Sequence, residues 1–221
     1  MTLQKWGGIA AITEALTYIF GFILFFAVLD STGYDSPAQR LEFLVLNRDL
    51  YFLGYVVSGI VFSFTLIVLV RAIYQRFEQA SPELMKFTAV VGYLWVGIVL
   101  ASSFVFLTSL EVLAKYYAIN VEQAIVINRS VSIVVDALGG GIELVGAVWV
   151  LAISYVGLKG KIFNAFLHYW GILVGVSGVL TLFSGLSFLA TNPFFEVTTA
   201  IFGLGQILWF VLLGIAMLRE A

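Results

Sequence analysis

Long apolar stretches, separated by short clusters of polar residues, recur along the whole chain. About 20 apolar residues in a helix cross the roughly 30 Å hydrocarbon core of a bilayer, and six stretches reach that length. The predicted spans are residues 6–29, 50–70, 85–110, 130–157, 162–190 and 194–218. The connections between them are short. The pattern therefore predicts an all-α, polytopic transmembrane bundle of six spans that forms one integral membrane domain, residues 1–221.

The polar connection between the first two spans carries a helix signal of its own. Ser36, Pro37 and Gln39 have the spacing of a capping box with proline at the first helical position. Over residues 37–46, apolar side chains recur every three or four positions and give such a helix one apolar face. We therefore expect a short amphipathic helix at the membrane surface, with an ordered loop as the alternative.

The fourth span differs from the others because ionisable side chains recur in it at helical spacing. Arg129, Asp136 and Glu143 lie seven residues apart, which places them on one face of a helix. Since charged groups in lipid are costly, this face is expected to meet protein or water. Three consecutive glycines, residues 139–141, separate the two acids. They predict a kink, a close helix contact or a break in the span.

Five polar side chains form a candidate ligand or proton pathway, and they are Glu14, Asp136, Glu143, His168 and Gln206. Helical rise places Glu14 about 13 Å and His168 about 10 Å from the same end of the bundle. The same reasoning puts Glu143 and Gln206 about 20 Å deep, near the midplane. A carboxylate in hydrocarbon costs at least about 2.5 kcal/mol, so each acid must be protonated, paired or hydrated. The alternative is purely structural hydrogen bonding between helices.

The fifth span carries a stripe of small residues. Its members are Gly171, Gly175, Gly178 and Gly185, and they recur at nearly heptad spacing. Such a stripe is typical of a seam in which another helix packs closely. A substrate groove is the alternative interpretation.

Composition narrows the chemistry that the chain can perform. Hydrophobic residues make up 62% and charged residues 11% of the chain, against about 45–50% and about 25% in soluble domains. There is no cysteine and only one histidine, which excludes thiolate sites and sites built from several histidines. No phosphate loop, zinc-protease motif or nucleophile elbow is present. We therefore expect no metal, no cofactor and no nucleic-acid partner, and enzymatic activity is not favoured.

Cationic residues are distributed unequally over the two sides of the predicted bundle. One side has Lys5, Arg71, Arg76, Lys86, Lys159, Lys161 and Arg219, and the other has Arg40, Arg48, Lys115 and Arg129. Because cytoplasmic loops carry an excess of Lys and Arg, both termini are predicted to be cytoplasmic. The predicted location is the cell (cytoplasmic) membrane.

Both ends of the chain carry glycine-rich motifs. Residues 4–11 read QKWGGIAA, and residues 203–209 read GLGQILW, continuing through Gly214 to Arg219. These motifs resemble a family of small bacterial six-span membrane proteins that is known only as a domain of unknown function. The resemblance implies a bacterial or archaeal membrane location, and it implies no activity and no catalytic residue.

Three functions fit this pattern. The first is an integral membrane protein with a polar intramembrane cavity, acting as a proton-linked small-molecule transporter or as a ligand-binding sensor. The second is a non-catalytic membrane subunit whose glycine seams bind partner helices or a second copy of the chain. The third is a metal-independent lipid-modifying enzyme that uses His168. Membrane lipids and a small apolar or amphipathic ligand are the expected partners.

Overall fold

The structure is a computed structural model that describes residues 1–140, 144–189 and 191–220. Every regular element in these ranges is helical, as the hydrophobic pattern predicts. The α-helices are α1 (Leu3–Ile23), α2 (Pro37–Leu46), α3 (Arg48–Tyr55), α4 (Phe62–Phe77), α5 (Pro82–Ile119), α6 (Val121–Val135), α7 (Leu144–Gly160), α8 (Ala165–Thr181) and α9 (Phe194–Arg219). Three π-helical turns join or end them, namely π1 (Leu24–Val28), π2 (Val56–Val61) and π3 (Asp136–Gly140). A short 3₁₀ turn, Leu182–Gly185, follows α8.

Five of the described helical segments are long and apolar enough to cross a membrane. They are Leu3–Val28, Arg48–Phe77, Pro82–Ile119, Ala165–Gly185 and Phe194–Arg219. Helix α7 covers part of the predicted fourth span, and it is apolar but shorter. The chain is thus an all-helical protein whose apolar segments suit a multi-pass membrane protein. The sixth span and the cytoplasmic termini stay predictions.

Helix α5 continues well past the predicted end of the third span. It has 38 residues, which corresponds to about 57 Å at the helical rise of 1.5 Å per residue. Glu111 and Lys115 do not end this helix. They form an exposed i,i+4 ion pair on it, with Oε1 and Nζ 2.7 Å apart. Such pairs favour a helix, so charged residues after an apolar run do not mark the end of a helix here.

The predicted start of α2 is confirmed in atomic detail, and α6 begins with a side-chain cap of a related kind. Helix α2 has the predicted bounds, and its capping box is complete. The Gln39 N–H donates to Ser36 Oγ, and the Ser36 N–H donates to Gln39 Oε1. At the start of α6, the Gln123 N–H donates to Asn120 Oδ1. These bonds satisfy backbone N–H groups that have no partner inside the helix.

The described residues form two compact units. The first unit comprises Met1–Leu16, Ser63–Gly97 and the described part of residues 142–221. The second unit comprises Thr17–Phe62 and the described part of residues 98–141. The single membrane domain stays a prediction.

Each unit has its own apolar core. In the first unit, Trp149 packs against Trp95 and Trp209, with ring centroids 5.8 Å apart in both pairs. In the second unit, Leu41 and Leu44 of α2 join a buried cluster that α5 and α6 complete. Helix α2 therefore buries the apolar face that its sequence predicts. Its place at a membrane surface stays a prediction.

Candidate functional site

Glu14 lies in α1 of the first unit, and its side chain is completely buried. Its Oε1 accepts a hydrogen bond of 2.6 Å from the Thr65 hydroxyl of α4. Helices α1 and α9 pack in opposite directions, because Gln4 Nε2 donates to the Met217 carbonyl while Gly8 packs on Gly214. Glu14 lies ten residues, or about three turns, beyond Gln4, so this register brings its level close to residue 207 of α9.

Gln206 therefore lies near the level of Glu14. The depth predicted from the sequence is instead nearer to that of Glu143. Its side chain is fully buried, and its amide nitrogen and oxygen have no hydrogen-bond partner among the described residues. Ser154 Oγ and Trp209 Nε1 are also buried and have no hydrogen-bond partner among the described residues. Both atoms lie within 2.5 Å of the position that a Cβ on Gly171 would take. The core of α7, α8 and α9 thus encloses several polar groups in tight packing.

His168 is buried near the start of α8, and its contacts hold neighbouring parts of the first unit together. Its ring occupies the space beside Gly157, where any Cβ would overlap the imidazole. Its Nε2 hydrogen-bonds to the Ile162 carbonyl at 2.5 Å, which ties α8 to the turn after α7. The Phe77 ring meets it edge to face, with centroids 6.2 Å apart. No described contact joins His168 to Glu14 or Gln206.

Asp136 is the first residue of π3 and lies in the second unit, exposed at the molecular surface. Its carboxylate is close enough to the Tyr55 phenol to act on it electrostatically. Glu143 and Gly141 lie outside the described residues. Asp136 thus belongs to the second unit, whereas Glu14, His168 and Gln206 belong to the first.

Three glycines of the predicted stripe pack against other helices of the first unit. A Cβ on Gly175 would lie 2.9 Å from the Ala147 carbonyl oxygen and 3.0 Å from the Leu151 Cα. Gly178 faces Phe202 of α9, and Gly171 faces Ser154 and Trp209. Gly185 has no atom within 4 Å of its Cβ position. The chain's own α7 and α9 thus occupy most of the stripe.

The second unit contains a cavity of about 130 Å³. Its lining residues are Phe25, Tyr55, Ser58, Gly59, Val99, Ser102, Ser103 and Val135. For scale, an engineered cavity of about 150 Å³ in another protein accommodates benzene, and one water takes about 30 Å³. The volume therefore suits a ligand of only a few heavy atoms. We call this space the serine cavity.

The π-helical turns lie around the serine cavity. Phe25 belongs to π1, Ser58 and Gly59 belong to π2, and Val135 directly precedes π3. Fewer than about 1% of residues in proteins are π-helical, and single π-turns inside α-helices are frequent at functional sites. Three such turns beside one cavity single it out as the candidate functional site.

Three hydroxyl groups give the serine cavity an excess of hydrogen-bond acceptors. Ser102 Oγ donates its proton to the Val135 carbonyl at 3.2 Å, and Ser103 Oγ donates to the Val99 carbonyl at 2.8 Å. Each hydroxyl has one proton, so both oxygens retain only lone pairs for an occupant. The buried Ser58 Oγ has no hydrogen-bond partner among the described residues. The cavity is therefore best suited to a ligand that donates hydrogen bonds.

Aromatic rings form the other part of the lining. Phe25 meets Tyr55 edge to face, with centroids 5.9 Å apart, and Tyr55 stacks on Phe106 at 3.8 Å. Aromatic faces attract cations through their quadrupole, and the nearby Asp136 carboxylate adds negative charge. The lining combines oxygen acceptors with aromatic rings, and the Asp136 carboxylate outside the lining adds negative charge, so the cavity favours a positively charged donor.

Sequence reasoning missed the serine cavity. It followed ionisable residues, and the cavity is lined by hydroxyls and rings. The available signals were the Ser58-Gly59 pair and the Ser102-Ser103 pair inside long apolar runs. Within the described ranges, no three carboxylate or imidazole groups come together to hold a metal ion.

Compared with known proteins, the chain matches no family model, no curated protein and no solved structure. The functional argument therefore rests on the geometry of the serine cavity.

Proposed function

We propose that this protein is a multi-pass membrane protein that binds a small, positively charged hydrogen-bond donor in the serine cavity. The observation that carries the proposal is one small, acceptor-rich space that two π-helical turns line and that a third directly follows in the chain, after the lining residue Val135. Ammonium and short alkylammonium ions combine the required size, positive charge and N–H donors. The protein would act on such a ligand as a transporter or as a sensor.

Ethylammonium and ethanol provide a matched test of this ligand class, because both have three heavy atoms and only one is charged. We expect the purified full-length protein to bind ethylammonium and not ethanol at millimolar concentration, as measured by the thermal shift in detergent. Ser58→Ala removes one acceptor and should weaken binding about fivefold, the value of one ordinary hydrogen bond. Equal shifts with both probes would contradict the cationic preference.

Asp136→Asn tests whether the negative charge of Asp136 contributes to ligand binding. It preserves the size of the side chain and removes the negative charge beside Tyr55. Ethylammonium binding should weaken, while the unfolding midpoint without ligand should change little because Asp136 is exposed. Glu122→Asn is the control for the change in net charge, because Glu122 is also an exposed acid and lies in α6.

Uptake into proteoliposomes distinguishes the two modes of action. A transporter accumulates radiolabelled ethylammonium, and a sensor binds it without uptake. In a proton-linked transporter, Glu14 is the residue proposed to carry the proton, because it is the buried carboxyl of the first unit with a defined donor, Thr65. Glu14→Gln should then abolish the dependence of uptake on a pH gradient.

Six spans, cytoplasmic termini and a bacterial or archaeal cytoplasmic membrane complete the proposal. The charge distribution supports the orientation, and the motifs at both chain ends support the resemblance to small bacterial six-span proteins. A cysteine introduced at Ser36 should react with an impermeant thiol reagent outside intact cells, whereas one at Ala80 should not. The reverse labelling would overturn the orientation.

A further inference from the structure

Two cavities of the first unit share a wall formed by Arg76, Gln79 and Glu220. The larger has a volume of about 510 Å³ and is also lined by Lys161 and Phe163. The smaller has a volume of about 390 Å³. Both volumes fall within the roughly 300–1,000 Å³ of known ligand pockets.

Two of the eight residues that line the larger cavity carry positive charge. Arg76 and Lys161 contribute two cations, and Gln79 contributes an amide. Glu220 is the one acid in the lining, and it is bound to Arg76, with Oε2 and Nη2 2.5 Å apart. This ion pair is partly exposed, so its net contribution to stability is small. A ligand with more negative charge than one carboxylate can therefore compete with Glu220 for Arg76.

The Arg76 guanidinium and the backbone of the turn that carries Lys161 are held in place before any ligand binds. The Arg76 guanidinium lies 5.4 Å above the centre of the Phe163 ring, and Phe77 meets that ring edge to face. Lys161 and Phe163 have φ angles of +52° and +61°, which side chains other than glycine rarely adopt. The bond from His168 to the carbonyl of Ile162, between these two residues, fixes the turn that presents them.

We infer that the larger cavity binds a phosphate group, with Arg76 and Lys161 as its cationic partners and Glu220 as an internal competitor. Guanidinium groups match phosphate oxygens in geometry, and basic pockets beside transmembrane helices commonly bind lipid headgroups. The cavity lies in the turns that follow α4, α7 and α9, where apolar helices end. An anionic phospholipid headgroup and a free phosphate compound share the chemistry required. This inference is independent of the serine cavity.

The test measures binding of short-chain phosphatidic acid to the full-length protein in detergent, through its thermal shift. Lys161→Asn removes the charge with a residue that tolerates positive φ, and it should weaken binding about fivefold. Glu220→Gln releases Arg76 and should tighten binding about threefold. Excess inorganic phosphate identifies the source: displacement of the lipid indicates that a free phosphate compound suffices, and no displacement indicates a lipid headgroup.

A second ion pair of the first unit provides matched controls. Lys86 Nζ and Glu83 Oε1 lie 2.7 Å apart, and neither residue lines the cavity. Lys86→Asn and Glu83→Gln alter the net charge by the same amounts as the two test variants and should leave binding unchanged. If Lys86→Asn weakens binding as much as Lys161→Asn, or if Glu220→Gln does not tighten it, the phosphate site is wrong.

Discussion

In the first unit, buried polar groups lie in tightly packed helices, whereas in the second unit they line an open space. Gln206, Ser154 and Trp209 are enclosed where α8 meets its neighbours through glycine. In the second unit, Ser58, Ser102 and the π-helical turns surround a cavity. The contrast teaches that buried polarity has two uses in this chain. One requires close packing, and the other requires packing to be interrupted.

The two units differ because their helices differ in the pattern of backbone hydrogen bonds. Regular α-helices allow glycine on one helix to receive the backbone of the next, as Gly175 receives Ala147 and Leu151. A π-turn inserts an extra residue into the ladder and shifts the side chains after it. Neighbouring helices then fit less closely, which leaves room for an occupant. Four predictions test whether the two units differ in this way.

The largest effect is expected at Gly175 in the first unit. In an open helical position, Gly→Ala stabilises by about 0.5–1 kcal/mol, because glycine loses more backbone entropy on folding. At Gly175 the added methyl would meet backbone atoms 2.9–3.0 Å away, so Gly175→Ala should lower the free energy of unfolding by about 1–3 kcal/mol. Gly97→Ala is the control, because nothing lies within 4 Å of its Cβ position. Equal midpoints in detergent would mean that the seam is not tight.

The second prediction concerns Gln206, whose buried amide has no hydrogen-bond partner among the described residues. An unpartnered buried polar group costs about 1–3 kcal/mol, so Gln206→Met should raise the free energy of unfolding by about 1–2 kcal/mol. Gln4→Met is the control, because Gln4 Nε2 donates to the Met217 carbonyl and its loss should destabilise by about 1 kcal/mol. A loss of stability in Gln206→Met, measured by chemical denaturation, would place bound water or a ligand beside the amide.

The third prediction separates two serines of the same cavity. Ser102→Ala removes a hydrogen bond to the Val135 carbonyl, directly before π3, and should lower the free energy of unfolding by about 1 kcal/mol. Ser58→Ala removes a buried hydroxyl without such a bond and should not lower the free energy of unfolding. If both variants lose stability equally, Ser58 is part of the scaffold and not a group available to a ligand.

The sequence predicts helix class, most helix positions and the local caps, because these depend on periodicity and on nearest neighbours. Ser36 with Gln39 is detected for this reason. The serine cavity could not be found in this way. π-Turns have no simple pattern in sequence, and their effect depends on which helices they bring together. Ser58 and Val135 are distant in the chain, and only the fold makes them neighbours.

The pathway predicted from ionisable residues stays a prediction for a related reason. Charge is visible in a sequence, and the partner that neutralises or fixes it is not. Glu14 lies beside Thr65, and His168 is bound to the Ile162 carbonyl. Their spacing along the chain suggests a common pathway, and the register of α1 and α9 places Glu14 and Gln206 at a similar level.

The smallest effect is expected at Asp30 of the second unit, outside the apolar spans and fully exposed. The Thr32 hydroxyl and the Thr32 backbone N–H both donate to its carboxylate. These bonds, the hydroxyl bond more than the backbone bond, lower the pKa of Asp30 below its usual 3.8. Because the folded pKa lies below the unfolded one, this contribution to stability is fully present above the unfolded pKa. It is lost as the pH falls through the folded pKa.

Thr32→Val removes the larger of these two causes and retains the backbone N–H. The pKa of Asp30 should therefore rise toward its usual value without reaching it, as measured by carboxyl NMR in detergent. Thr32→Ser keeps the hydroxyl and should leave the pKa low. Binding of ethylammonium in the serine cavity should be the same in all three proteins, because Asp30 and Thr32 do not line it. An unchanged pKa in Thr32→Val would show that the hydroxyl bond does not persist in solution, and altered binding would show that the serine cavity depends on the surface loop beside π1.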